Sequence, residues 1–221
     1  MGSGLFSTQH ARLPHLITGQ GGIAGEIADL RADLNQVLSP LAAVAIDEFT
    51  NAAAAGAADL EAAVATTVAP RTVTTFLAGG VAKLAAYPRN LTFTTAGATP
   101  ADAPATAVVT GTYRGTAQTE TVTIAQTATI ATGLKPFSTV TSVAYAAADG
   151  TAATISIGVG AGLGTSQIPK SRAGLVAPTR EIAVGVVVTT GALTAVGLYT
   201  PAAAPDGVKD YAVYYEYDAA V

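Results

Sequence analysis

The sequence predicts a mainly β protein: an N-terminal arm and helices, then an antiparallel β-sandwich, then a small C-terminal β region. Three observations carry that reading. From residue 71 to 160, and again after 182, apolar and Thr residues alternate with the period of two that a half-buried strand requires. Residues 23–38 are the one stretch whose apolar side chains recur at helical spacing. Half of the 221 residues are apolar, mostly Ala and Val with no Trp, a composition that packs the thin layers of closely stacked sheets.

Residues 1–22 show neither period, hold both histidines (His10 and His15) and leave through Gly19, Gly21 and Gly22. Leu5, Phe6, Leu13, Leu16 and Ile17 are more large apolar side chains than a free tail carries. The segment therefore reads as an extended arm that docks on a neighbour. In the next segment Ile23, Ile27, Leu30, Leu34 and Val37 step by four, three, four and three, one face of a helix and the a/d rhythm of a coiled coil. Glu26 then takes a g position and Arg31 the following e position. Two heptads are too short to be stable alone, so the stripe packs on other copies, on its own sandwich, or on a different protein. We take it as the oligomerisation element. Ser39 and Pro40 end this helix, and the same pair can cap a second one with Leu41, Val44, Ala45 and Phe49 on its apolar face. A third short helix is expected over 58–68, where Leu60, Val64 and Val68 lie four apart in an Ala-rich stretch. The helical segment thus spans 23–69.

From Pro70 the period changes to two. Strands are expected over 71–77 and 89–95, joined by a connection around Gly79 and Gly80, with Leu91 and Phe93 on one face of the second. A hairpin is expected from 105–112 to 119–125 around Tyr113, Arg114 and Gly115, with Val122 and Ile124 opposing Thr121 and Thr123. A short strand over 128–131 and a longer one over 137–146 follow, and Asp149 with Gly150 reads as a hairpin turn into 151–159. Six or seven short strands at regular spacing over 70–160 predict an immunoglobulin-like or related sandwich. Residues 161–181 read as a linker. Within 182–221, strands are expected over 182–190, 192–200 and 211–217, the last placing Tyr211, Val213, Tyr215 and Tyr217 on one face.

Composition excludes several functions. A net charge of -4 with 12% charged residues provides no basic field for nucleic acid or an anionic membrane. Without cysteine there is no disulfide, thiolate nucleophile or Cys-based zinc site. The start of the chain lacks the basic and apolar regions of a signal peptide. The charge-free run between Glu181 and Asp206 is long enough to cross a bilayer, but its β-branched residues and Gly185, Gly191 and Gly197 make it two strands turning at Thr190 and Gly191. No acid accompanies the histidines to form a metal set or triad. Glu120, flanked by Thr119 and Thr121, is expected to face solvent; Asp47 and Glu48 end a helix, and Asp102, Asp149 and Asp206 sit in turns. The glycines from Gly158 to Gly164 lack the Lys-Ser/Thr and following helix of a phosphate loop, and read as a flexible strand exit. No catalytic, cofactor-binding or metal-binding residue is assigned, and the chain reads as non-enzymatic.

The wording of the sandwich is also familiar. Pro88-Arg-Asn-Leu-Thr-Phe-Thr-Thr, Ala105-Thr-Ala-Val-Val-Thr-Gly-Thr, Thr119-Glu-Thr-Val-Thr-Ile and Lys135-Pro-Phe-Ser-Thr-Val-Thr-Ser-Val resemble immunoglobulin-like modules in structural proteins of tailed bacteriophages. The resemblance covers 88–160, about a third of the chain. It implies a virion protein of the capsid decoration (cement) or head-fibre type, placed on the capsid surface. Such proteins assemble as homo-oligomers, commonly trimers, and bind the major capsid protein or another virion protein through an N-terminal segment. A tail or neck component and a surface adhesin-like module are the alternatives.

Overall fold

The period-two pattern is realised as strand over most of the described body, and strand reaches further toward the N-terminus than the alternation does. The computed structural model describes residues 42–97, 102–124, 129–169, 181–183, 186–188 and 191–218. Residues 1–41, with the arm, the 23–38 helix and both histidines, lie outside them, as do 170–180 of the expected linker. The first strands are β1 (Ala42–Phe49), β2 (Gly56–Ala65) and β3 (Arg71–Val73), followed by the helix α1 (Ala78–Ala86). Next come β4 (Arg89–Gly97), β5 (Thr106–Tyr113), β6 (Thr116–Thr123), β7 (Ile130–Thr132), β8 (Thr139–Tyr145) and β9 (Ala153–Gly164). Four short strands and a long one complete the body: β10 (Glu181–Ala183), β11 (Val186–Val188), β12 (Ala192–Leu193), β13 (Leu198–Thr200) and β14 (Tyr211–Asp218). The fold is mainly β.

Two antiparallel sheets share the main core. One has the order β3-β8-β5-β6; the other runs β12-β13-β9-β4-β7, with β2 also paired to β9. Leu91 and Phe93 of β4 and Ile155, Ile157 and Val159 of β9 are buried with Val109, Val143 and Tyr145 of the other sheet. Leu91 and Phe93 share a face as expected. A second core gathers Phe49, Leu163, Tyr199, Tyr211, Val213 and Tyr215, with Tyr217 packed against it. The aromatic face expected on the last strand packs there with Leu163 of β9 and Tyr199 of β13, and β1 lies beside β14, paired from Ala42↔Asp218 to Phe49↔Tyr211.

That pairing corrects the helical reading of the body's first residues. Val44, Ala45 and Phe49 do not form a helix face: residues from Ala42 to Phe49 are strand, so Asp47 and Glu48 lie in a strand as well, while Leu41 lies outside the described residues. The helix expected over 58–68 is likewise β2, with Leu60 buried in the main core. Alanine favours helix by only tenths of a kcal/mol per residue, and long-range pairing overrides so weak a preference. The reverse error occurs at 78–88. The Gly79-Gly80 pair reads as a connection but lies in α1, whose Leu84 enters the main core. A Cβ on Gly80 would sit 2.5 Å from the Asp59 carbonyl oxygen, so glycine lets the helix rest directly on β2. The strand expected over 71–77 is correspondingly short, Arg71–Val73.

Asp149 and Gly150 do not make a hairpin. β8 pairs with β3 and β5, whereas β9 pairs with β4, β2 and β13, so the connection crosses from one sheet to the other. Asp102 holds that crossing, its Oδ2 accepting the Ala152 N–H at 2.9 Å. Nor is the glycine run a flexible exit, since β9 continues to Gly164 and most of its residues are buried. A Cβ on Gly158 would collide with the Gly56 carbonyl oxygen and lie 2.6 Å from Thr92 Oγ1. Gly158→Ala is therefore expected to lose about 3 kcal/mol by forcing β2 off β9. Gly79→Ala, which meets nothing within 4 Å, should gain about 0.5 kcal/mol of helix propensity. Urea midpoints of the two variants check both signs.

The expected strands over 182–190 and 192–200 are instead two short hairpins, β10–β11 and β12–β13. β13 adds to the end of β9. The six-stranded sheet thus draws strands from both sides of residues 161–181.

Candidate functional site

The β5–β6 turn builds the most distinctive surface feature. Tyr113 pairs with Thr116, leaving a two-residue turn in which Arg114 and Gly115 both have positive φ, 55° and 76°. That is the primed turn that suits strand twist, but a left-handed arginine is uncommon. Its guanidinium is held on both sides. Nη2 donates to Gln167 Oε1 at 3.0 Å, and the group lies 5.9 Å from the centroid of the Tyr113 ring.

Behind the turn, a relay of hydrogen bonds fixes the segment that carries Gln167. The Tyr215 hydroxyl donates to Asp47 Oδ2 at 2.7 Å and accepts the Gln167 N–H at 2.9 Å. The Ser166 N–H donates to the same carboxylate at 2.8 Å. Burial raises the Tyr215 and Tyr113 phenols above their ordinary range, so both remain donors at neutral pH. Tyr113 donates to the Thr165 carbonyl oxygen.

On the other side, β6 is stitched to residues 133–136. Glu120 is not on the solvent face: it is buried, and its carboxylate accepts the Leu134 N–H at 2.5 Å and the Lys135 N–H at 3.2 Å. Its position has the same parity as Val122 and Ile124, both buried as expected, and that parity was the available signal. Charge alone suggested the outer face. Lys135 Nζ donates to the Thr119 carbonyl oxygen at 2.8 Å, and Gln118 Nε2 donates to that of Pro136.

Between these walls lies a groove of about 460 Å³, bounded by Tyr113, Arg114, Thr116 and Gln118 of the hairpin and by Lys135. Ile168, Ala195 and Val196 form the facing wall. Its electrostatics are unusual for an acidic chain. Among the described residues, Arg71 pairs with Glu61, Lys83 with Asp59 and Lys209 with Asp206. Arg89 is buried against backbone carbonyl oxygens; burial lowers its guanidinium to about 10, still cationic at neutral pH. Arg114 and Lys135, the remaining described cations, form no ion pair with a described acid, and both line the groove.

A second exposed feature is the outer face of the β1–β14 ribbon. Val44 and Ile46 are 64% and 54% exposed, with Tyr214 opposite Ile46. Among the described residues β1 pairs with β14 alone.

The residues expected to carry assembly, Ile23, Ile27, Leu30, Leu34 and Val37, and those of the arm, Leu5, Phe6, Leu13, Leu16 and Ile17, all lie outside the described residues. The groove was not anticipated, because its lining comes from four separate stretches of the chain, at 113–118, 135, 168 and 195–196. Among the described residues, no group of three or more His, Cys, Asp or Glu could hold a metal ion, and no helix is long and apolar enough to cross a membrane. Comparison with known proteins gives no match to a protein-family model, a curated protein or a solved structure.

Proposed function

We propose that this chain is a non-enzymatic structural protein of a tailed-bacteriophage virion, a capsid decoration or head-fibre protein that docks on the shell through its arm and helix. The observation that carries the reading is where the phage-like wording falls. Its four segments lie on β4 of one sheet and on β5, β6 and the approach to β8 of the other, around one core.

The same strands support an immunoglobulin-related sandwich. In that fold strand B pairs with E, C with F, and an added strand sits beside C. Here β4 pairs with β7, β5 with β8, and β6 lies beside β5. The first and last strands have traded sheets. β3 takes the place of G beside β8, and β9 takes the place of A beside β4. The proposed module is thus a rewired relative, with a central B-C-E-F set and exchanged ends.

In this account the 23–38 stripe sets the assembly state. Leu30→Asp with Leu34→Asp should convert a trimer into a folded monomer, read by analytical ultracentrifugation beside circular dichroism. Deleting residues 1–20 should leave the trimer intact and abolish cosedimentation with phage heads. An unchanged oligomer in the first variant would remove the stripe from the account, and retained head binding in the second would remove the arm.

A further inference from the structure

We propose that the groove beside the β5–β6 turn binds an extended acidic segment of a partner protein, its carboxylates meeting Arg114 and Lys135 and an aliphatic side chain covering Ile168 and Val196. The proposal rests on the docking reading for the identity of the partner, but not for the chemistry of the groove.

Charge complementarity is the first argument. In a chain of net charge -4, the two described cations that are neither buried, as Arg89 is, nor paired with a described acid both line this one groove. Their positions are built. The Arg114 guanidinium is tied to Gln167 at 3.0 Å, and the Lys135 backbone is pinned by Glu120. Two cations held in place lose little further freedom when a carboxylate arrives, which favours binding. The arginine fork also matches a carboxylate with two parallel hydrogen bonds.

The shape and the facing wall choose among anions. At about 460 Å³ the groove is of ligand-site size. Ile168 is 58% exposed and Val196 44%, an aliphatic wall that a bare phosphate or sulfate would leave wet. A charged saccharide would meet the cations but gain no ring stacking, since the groove's aromatic, Tyr113, is only 7% exposed and its hydroxyl is engaged, and its hydroxyls would lie against the aliphatic wall. A segment that alternates carboxylates with aliphatic residues satisfies the cations and the wall together.

The test uses the full-length chain and fluorescence anisotropy of labelled, capped octapeptides. The probes are alternating Glu-Leu, alternating Gln-Leu and alternating Glu-Ser, with an oligogalacturonate as competitor. Glu-Leu should bind at least tenfold more tightly than either other peptide at low salt, and weaken as ionic strength rises. Arg114→Gln and Lys135→Gln should each weaken it about fivefold, and the double variant about twentyfold. Arg114→Lys should restore part of the loss. Ile168→Ser with Val196→Ser should bring Glu-Leu down to the level of Glu-Ser. Unchanged melting temperatures would show that the variants are folded. Equal binding of Glu-Leu and Gln-Leu, or an unaffected double variant, would overturn the proposal. So would displacement by oligogalacturonate as effective as that by unlabelled Glu-Leu. These peptides leave the head-binding and trimer measurements untouched, so either reading can fail alone.

Discussion

Replacing Arg89 by alanine is expected to remove about 3–5 kcal/mol of folding stability, much of what a domain of this size possesses. The residue is 1% exposed, and its backbone pairs with Leu163 of the second core and Phe137 of the main one. Its Nε and Nη2 donate to the Gly160 carbonyl oxygen at 2.9 and 2.6 Å, and Nη1 donates to that of Ala53 at 3.0 Å. Its backbone exchanges hydrogen bonds with Phe137, 3.0 Å and 2.8 Å, bridging the two sheets. Alanine would leave two carbonyl oxygens without their charged donor and a cavity between β9 and the β1–β2 connection. Lysine keeps the charge without the fork that reaches both oxygens, so Arg89→Lys should lose about 2 kcal/mol. Urea denaturation followed by circular dichroism measures both. A midpoint within error of the parent for Arg89→Ala would show that this hub is dispensable.

Glu120→Ala should be the next most damaging change, about 2–4 kcal/mol, since it strips a charged acceptor from two backbone N–H groups. The carboxylate joins the edge of one sheet to the segment leading out of β7 in the other. Glu120→Gln retains an acceptor oxygen and should lose about half as much. Hydrogen exchange localises the effect. The Leu134 and Lys135 amides should exchange faster in Glu120→Ala by more than the global loss explains, whereas uniform acceleration would mean that the residue acts only through overall stability. The same loosening would release Lys135, which lines the groove.

Much of the fold was legible because alternation in a half-buried strand is a local signal. Leu91 with Phe93, Val122 with Ile124, and Tyr211 with Val213 and Tyr215 are all buried as their parity required. What failed depended on partners distant in sequence. Residues from Ala42 to Phe49 are strand because β14, more than 160 residues away, pairs with them. Gly80 and Gly158 look like breakers until β2 is seen to pass against each. The Asp149-Gly150 turn has hairpin chemistry, but which sheet receives β9 is a property of the whole topology. The groove was illegible for the same reason. Arg114, Lys135, Ile168 and Val196 carry no shared local pattern; the closure of β6 onto residues 133–136 and the bonds of Tyr113 and Arg114 to residues 165–167 and 197 bring them together. Glu120 was the exception, a readable residue misread because charge was allowed to outweigh parity.

The most direct test of the virion account is cryo-electron microscopy of tailed-phage particles whose genome encodes this chain, beside particles from a deletion of its gene. The account predicts trimeric knobs in a regular array on the head of the first and bare capsid lattice points on the second. Identical heads in the two preparations, or difference density confined to the tail or neck, would contradict it.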